Sequence, residues 1–125
     1  MIQKVLLIAV AGAIGTLARY SLIGLVQRVN TTTFPWGTVA VNVLGCFLAG
    51  LVFTLFENRW PVSAETRIVI LVGFLGAFTT FSTLILESSG LGRSSDWLYA
   101  LGNVLLQTGL GFGALYAGAA LGRAV

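Results

Sequence analysis

The sequence predicts an all-α integral membrane protein that crosses the bilayer four times, and two observations lead to this prediction. Of the 125 residues, 57% are hydrophobic and only 9% are charged, whereas soluble domains carry about 25% charged residues. The hydrophobic residues also gather in four runs, each near the length of about 20 residues that a spanning helix needs. The composition excludes an ordinary soluble enzyme, a disordered chain and a nucleic-acid-binding protein. We therefore expect one membrane domain over residues 1–125 that is not an enzyme.

Polar or aromatic residues delimit each hydrophobic run in chain order. The predicted spans cover about residues 5–26, 36–56, 68–86 and 97–121, and short polar connections lie at 27–35, 57–67 and 87–96. The runs are long and do not alternate, which favours helices over barrel strands. Trp36, Trp60 and Trp97 fall at predicted ends, at the interfacial depth that indole rings prefer. Most of the chain is therefore expected to lie in the membrane.

The basic residues give only a weak signal for orientation. With four spans, both termini share one side of the membrane with the second connection. That side carries Lys4, Arg59, Arg67 and Arg123, whereas the other side carries two or three arginines. Because orientation follows the excess of basic residues, either orientation is compatible with this balance. An antiparallel homodimer and a weakly marked single topology both remain open.

The first two spans each carry one polar residue of interest. Arg19 lies about one turn inside the first span, where its guanidinium either lines an anion vestibule or extends to the membrane interface. Asn42 lies near the start of the second span, where its amide serves either an anion pathway or an interhelical hydrogen bond. No carboxylate is expected inside any span, because all four lie at ends or in connections: Glu57, Glu65, Glu87 and Asp96. Neutral donors without carboxylates suit an anion better than a cation, and they argue against a proton-coupled carrier.

The third span contains glycines and adjacent threonines within Gly73–Thr83, and these residue types weaken a helix. One interpretation is a continuous helix whose hydroxyls bond to their own backbone carbonyls. The other is a break that frees carbonyls for protein donors or for a small hard cation. Phe74, Phe78 and Phe81 recur at helical spacing, which predicts packing, although a phenyl edge can also meet an anion.

The fourth span combines a polar face with small residues. Asn103, Gln107 and Gly111 recur every four residues and share one helix face, and Thr108 lies beside them. This face is either a polar track along a pore or a seam between helices. Two small-xxx-small pairs predict close helix packing: Gly109 with Gly113, and Gly118 with Gly122.

Three motifs give the chain a resemblance to the CrcB/Fluc family of fluoride channels over nearly its whole length. The segment Gly12–Tyr20 (GAIGTLARY) resembles the glycine-rich first helix of the family, which ends in an arginine and an aromatic residue. The segment Trp36–Gly45 (WGTVAVNVLG) is similar to the family's Gly-Thr-Leu-x-x-Asn-x-x-Gly. The segment Gly73–Thr83 (GFLGAFTTFST), with Glu87 after it, resembles the Thr-Thr-Phe-Ser-Thr signature and is the most specific of the three.

The resemblance implies a fold, a function and a set of site residues. It implies a dual-topology antiparallel dimer in the cell membrane (the inner membrane of a Gram-negative cell) that exports fluoride passively and confers fluoride resistance. It implies a break in the third helix and a structural Na⁺ ion held by the main-chain carbonyls of Gly76 and Thr79. It places Arg19 at the vestibule. The implied fluoride pore consists of Asn42, Phe81 and the nearby hydroxyls of Thr80, Ser82 and Thr83.

Some positions depart from the family pattern and leave the assembly and the function open. Leu84 stands where the family usually has a second pore phenylalanine, and Gln107, Gly111 and Leu115 stand where its fourth helix usually offers Ser and Thr. The chain could therefore form a homodimer or could require a paralogous partner in a heterodimer. A small four-helix exporter and a non-transporting membrane subunit also remain open.

Overall fold

Four long helical stretches make up the chain, and the computed structural model describes all 125 residues. Three stretches are continuous α-helices: α1 (Ile2–Val29), α2 (Trp36–Asn58) and α6 (Trp97–Ala124). The third stretch consists of α3 (Ala64–Ile68), a π-helical segment (Val69–Leu75), α4 (Gly76–Phe78) and α5 (Phe81–Arg93). All four stretches are long and apolar enough to cross a membrane. The prediction of an all-helical protein with four spans is confirmed, and the chain is a multi-pass membrane protein.

Each helical stretch continues beyond its hydrophobic run, and one prediction is wrong for this reason. The third stretch covers Ala64–Arg93, whereas the hydropathy predicts residues 68–86. Backbone hydrogen bonding does not depend on side-chain polarity, so a helix can continue past the last apolar residue. Glu87 therefore lies inside α5 rather than in a connection. The same extension places Glu57 in the last turn of α2 and Glu65 in α3, so the expectation that no carboxylate lies within a span is corrected at all three residues.

Helices α2 and α6 form the main packing interface, and glycines allow their backbones to approach closely. A Cβ atom at Gly50 would overlap the carbonyl oxygen of Leu115, and a Cβ atom at Gly118 would overlap that of Phe47. A Cβ atom at Gly122 would come within 3.0 Å of the Leu51 carbonyl oxygen. The predicted packing of Gly118 and Gly122 is therefore present. The other pair differs, because Gly109 and Gly113 have open space at their Cβ positions.

Helix α1 packs against the π-helical segment, α2 and α4, and the rest of its surface is open. Gly15 is its one buried residue, and a Cβ atom there would overlap the Phe74 carbonyl oxygen. Only 23 of the 125 residues are buried in the single chain, because most large apolar side chains point outward into the space that lipid or a partner occupies. This distribution is the one expected of a protein whose solvent is the bilayer.

The end of α2 is tied to the start of the third stretch by one arginine. Arg67 Nη2 donates to the Phe56 carbonyl oxygen at 2.6 Å, and Arg67 Nη1 donates to Glu57 Oε1 at 2.7 Å. The guanidinium carbon also lies 5.9 Å from the centre of the Phe56 ring. The last carbonyls of a helix lack intrahelical donors, so the guanidinium satisfies one of them and positions the second connection.

Candidate functional site: a polar cavity beside the interrupted third stretch

Two extended residues separate α4 from α5 and create the site. Thr79 has φ −84° and ψ 159°, and Thr80 has φ −151° and ψ 110°. Helix α5 then begins at Phe81, and the Thr80 hydroxyl caps it by accepting the Thr83 N–H at 3.3 Å. Threonine is a favoured residue at this capping position. The positive end of the α5 dipole therefore lies at Thr80.

Asn42 on α2 compensates for the interruption by pairing with the Thr80 peptide. The Thr80 N–H donates to Asn42 Oδ1 at 2.8 Å, and Asn42 Nδ2 donates to the Thr80 carbonyl oxygen at 3.1 Å. In a continuous helix, this N–H would bond to the Gly76 carbonyl. The amide of Asn42 thus satisfies both polar groups of an extended residue, which lipid could not do. Gly45, one turn later on α2, makes room for this segment, because a Cβ atom there would overlap Thr79 Cγ2.

The Asn42 amide continues into a chain of hydrogen bonds that joins three helices. Asn42 Nδ2 donates to Gln107 Oε1 at 2.6 Å, and Gln107 Nε2 donates to Asn103 Oδ1 at 2.8 Å. Asn103 Nδ2 then donates to Ser88 Oγ on α5 at 3.0 Å. Asn103 is 0% exposed, and Gln107 and Ser88 are also buried. We refer to Asn42, Gln107, Asn103 and Ser88 as the amide chain.

A cavity of about 440 Å³ lies beside the amide chain and has no carboxylate in its wall. Asn42, Thr80 and Gln107 are polar residues of the wall, and Phe81 and Leu84 are apolar ones. The Phe81 side chain is 74% exposed in the single chain, whereas Leu84 is buried. The cavity wall therefore combines two side-chain amides, a hydroxyl and an aromatic ring that is mostly exposed in the single chain.

The similarity to known proteins covers the region that builds this cavity. Residues 6–119 match the sequence profile of the family described as "CrcB-like protein, Camphor Resistance (CrcB)". The chain belongs to the CrcB family. It is 59% identical over 125 residues to a protein of Desulforapulum autotrophicum and 55% identical over 125 residues to one of Solidesulfovibrio magneticus, with 100% of both chains covered in each case. A protein of Nitrosococcus oceani is 49% identical over 94% of each chain. All three relatives are named "Fluoride-specific ion channel FluC", and an ion channel is not an enzyme.

The predicted site residues of this CrcB chain fall into two groups. Seven of them line the cavity: Asn42, Gly76, Thr79, Thr80, Phe81, Gln107 and Thr108. Four others lie outside its wall: Arg19, Ser82, Thr83 and Asn103. The Thr80 hydroxyl links the second group to the first, because it donates to Thr83 Oγ1 at 2.9 Å and lies 3.5 Å from Ser82 Oγ. Thr108 is exposed, and its hydroxyl donates to the Val104 carbonyl oxygen of its own helix at 2.7 Å.

Arg19 lies next to one of the carbonyls predicted to hold sodium. Its Nη1 atom is 3.4 Å from the Thr79 carbonyl oxygen, which is long for a charged hydrogen bond. A carbonyl oxygen has two lone pairs, so Thr79 retains acceptor capacity beside this contact. The Gly76 carbonyl has lost its helical donor, because the Thr80 N–H bonds to Asn42. Both oxygens are of the hard type that small cations prefer.

The sequence did not single out Thr38, Glu87 and Ser88 as site residues. The Thr38 hydroxyl donates to Glu87 Oε1 at 2.7 Å, and Glu87 Oε2 is buried without a partner. Ser88 ends the amide chain. Glu87 follows Thr83 by four residues and so continues the same face of α5. That helical spacing is the signal that could have placed Glu87 inside the span, but the fall in hydropathy after Leu86 hid it.

Proposed function

We propose that the chain is a subunit of a fluoride-selective channel that lets fluoride leave the cell passively and so lowers cytoplasmic fluoride. The observation that carries the proposal is the Asn42 amide, which faces a carboxylate-free cavity next to the start of α5. The relatives that match the entire chain carry the name of a fluoride-specific channel, which supports fluoride as the anion. The cell membrane is the proposed location.

The chemistry of the cavity suits a small, strongly hydrated anion. Fluoride gives up its water only where hydrogen-bond donors replace it. The amides of Asn42 and Gln107 and the hydroxyl of Thr80 are donors of this kind; each donates to an acceptor of the chain in the structure and would exchange that acceptor for the ion. The edge of the Phe81 ring carries positive electrostatic potential. The positive end of the α5 dipole favours an anion at the same place. A carboxylate in the wall would repel the ion, and the wall contains none.

We propose further that two copies assemble as an antiparallel dimer with dual topology. The weak excess of basic residues on one side supports insertion in both orientations. The exposed Phe81 ring supports a partner beside the cavity, because a large aromatic side chain at a polar cavity is otherwise left uncovered. In such a dimer, the carbonyls of Gly76 and Thr79 from both copies would hold the structural Na⁺ ion. A bound cation would use backbone oxygens that the helix interruption leaves without their helical donors and would add positive potential beside the pores.

The experiment that tests the function is fluoride release from liposomes that contain the purified protein. We expect an ion-selective electrode to record rapid fluoride release and a chloride electrode to record none. Asn42→Ala should lower the fluoride rate at least about tenfold, because each lost hydrogen bond to a charged group is worth about 1.5–3 kcal/mol. Asn58→Ala is the matched control, since Asn58 Nδ2 bonds only to the Thr54 carbonyl of its own helix.

The outcomes distinguish a self-sufficient channel from a subunit that needs a partner. Equal release by Asn42→Ala and by the unmodified protein would remove Asn42 from the pathway. Absence of release from a folded protein would contradict a self-sufficient channel. Release that appears only after co-expression with a paralogue would establish a heterodimer and would attribute the requirement to positions such as Leu84, which replaces the second aromatic ring of the family pattern.

A further inference from the structure

A second cavity lies where α2 ends and the third stretch begins. It has a volume of about 440 Å³ and shares no wall residue with the cavity at Asn42. Its wall contains two arginines, Arg59 and Arg67, and one carboxylate, Glu57. Two positive charges and one negative charge leave one net positive charge. We refer to this cavity as the basic pocket.

The two arginines of the basic pocket keep donors that the chain itself does not use. A guanidinium carries five N–H groups. Arg67 uses two of them, for the Phe56 carbonyl oxygen and for Glu57 Oε1, and three are left. Arg59 is exposed and forms no ion pair, because the one salt bridge of the chain joins Arg67 to Glu57. Guanidinium groups with free N–H donors match the oxygens of a carboxylate or a phosphate.

The depth of the basic pocket in the membrane identifies the anion as a lipid phosphate. Helix α2 is long and apolar enough to span the membrane and ends at Asn58. Trp60 follows and is exposed, as expected of an indole ring at the interface, which is the depth at which lipid headgroups lie. Phe53 precedes Glu57 by four residues on the same face of α2 and is also exposed. It therefore offers an apolar surface to an acyl chain below the pocket.

We propose that the basic pocket binds the phosphodiester of an anionic glycerophospholipid, with Arg59 and Arg67 as the donors. The single negative charge of the phosphodiester equals the net positive charge of the pocket wall. A zwitterionic headgroup carries an ammonium group in addition, and this group would meet the same two arginines. The pocket should therefore prefer phosphatidylglycerol to phosphatidylcholine.

A lipid in the basic pocket would join the end of α2 to the start of the third stretch. Arg59 follows the last residue of α2, and Arg67 belongs to α3. Within the chain, Arg67 already connects these two elements through the Phe56 carbonyl oxygen, and the phosphate would connect them a second time from the membrane surface. Because a ligand that binds only the folded state stabilises it, we expect the bound lipid to raise the melting temperature.

The test is native mass spectrometry of the purified full chain in a neutral detergent. The protein is titrated with phosphatidylglycerol or with phosphatidylcholine of the same acyl chains, and the fraction of protein that retains lipid is measured. We expect an apparent Kd about fivefold lower for phosphatidylglycerol, since one charge near a membrane surface is worth about that factor. The melting temperature in the same detergent should rise with phosphatidylglycerol and stay unchanged with phosphatidylcholine.

Three variants give results of different sign. Arg59→Gln removes one positive charge and should raise the Kd for phosphatidylglycerol about fivefold. Glu57→Gln keeps a carbonyl oxygen for Arg67 but raises the net charge of the wall from one to two, so it should lower this Kd about fivefold. Arg123→Gln is the matched control: Arg123 is exposed on the same side of the membrane but lies outside the pocket wall, and its loss should leave the Kd unchanged.

Several results would overturn the inference. Equal affinities of the unmodified protein for the two lipids would contradict it, and this comparison decides the proposal even where a variant does not fold. An unchanged Kd in Arg59→Gln, or an unchanged or higher Kd in Glu57→Gln, would remove the pocket from lipid binding. An equal loss of affinity in Arg123→Gln and Arg59→Gln would show attraction to the whole basic surface. Displacement of the lipid by an equal concentration of inorganic phosphate would assign the pocket to free phosphate. None of these results depends on fluoride release.

Discussion

The close contact between α2 and α6 gives a quantitative prediction at Gly118. A Cβ atom at this position would overlap the carbonyl oxygen of Phe47 and would also lie 2.9 Å from the backbone nitrogen of Leu51. Both atoms belong to the backbone of α2, so no side-chain rotation can relieve the overlap. Gly118→Ala must therefore push the two helices apart along an interface that Gly50 and Gly122 also bring close.

Two opposing contributions set the change in the free energy of unfolding that Gly118→Ala causes. Alanine is favoured over glycine in a helix by about 0.8–1 kcal/mol, whereas an added methyl in a tight interface costs about 1–3 kcal/mol. Gly113→Ala is the matched control on the same helix, because its Cβ position is open, so only the first contribution applies. The helix preference cancels in the comparison. Gly118→Ala should therefore be less stable than Gly113→Ala by about 1–3 kcal/mol.

The assay is reversible unfolding in mixed micelles by increasing sodium dodecyl sulfate, followed by far-ultraviolet circular dichroism. The free energies of unfolding of the two variants are compared in the same lipid–detergent mixture. Equal stabilities, or a more stable Gly118→Ala, would refute the close backbone contact between α2 and α6. A strongly destabilised Gly113→Ala would show instead that its open face is covered by a partner.

Three further predictions concern the cavity, the second connection and the cation. Phe81→Ala should lower fluoride release at least about tenfold, because the ring supplies a positive edge to the anion. The elution volume in size-exclusion chromatography should stay unchanged, because the ring is 74% exposed in the single chain. Equal release would remove the ring from the pathway. Arg67→Ala should lower the free energy of unfolding by about 1 kcal/mol through loss of its contacts with Phe56 and Glu57, and Arg59→Ala, at an exposed position, should lower it less. Exchange of sodium for N-methyl-D-glucamine at equal ionic strength should lower the melting temperature of the protein. A bound cation in hundredfold excess over its Kd stabilises the folded state by about 2.7 kcal/mol, and the exchange would remove this contribution. Identical melting curves would argue against a cation at Gly76 and Thr79.

Hydropathy located the four spans but not their ends. The runs of apolar residues predicted spans that the structure confirms, because crossing a bilayer demands a minimum length of apolar helix. The same property does not determine where a helix stops, since polar residues continue the hydrogen-bonded backbone. Glu87 illustrates the difference: it lies just past the last apolar residue of the run, yet it is part of α5 and accepts a hydrogen bond from Thr38 on α2.

The polar residues were recognisable from the sequence, but their partners were not. Helical spacing placed Asn103 and Gln107 on one face, and the structure buries both. The sequence left open whether Asn42 bonds to another helix, and the structure joins it to Thr80 and Gln107. Those partners are separated from Asn42 by 38 and 65 residues, and only the packing of three helices brings them together. Periodicity describes one helix at a time and cannot supply this information.

The π-helical segment Val69–Leu75 holds one residue more than an α-helix needs to make the same turns. Deleting a single residue from this segment would let it relax to an α-helix, and Thr80 would keep nearly the same direction towards Asn42. Deleting a residue from α4 (Gly76–Phe78) has no such reserve, and everything downstream would rotate by about 100° and shift by about 1.5 Å relative to α1 and α2. In comparisons among relatives, a gap within Val69–Leu75 is therefore compatible with an unchanged site, whereas a gap within Gly76–Phe78 would turn Thr80 away from Asn42.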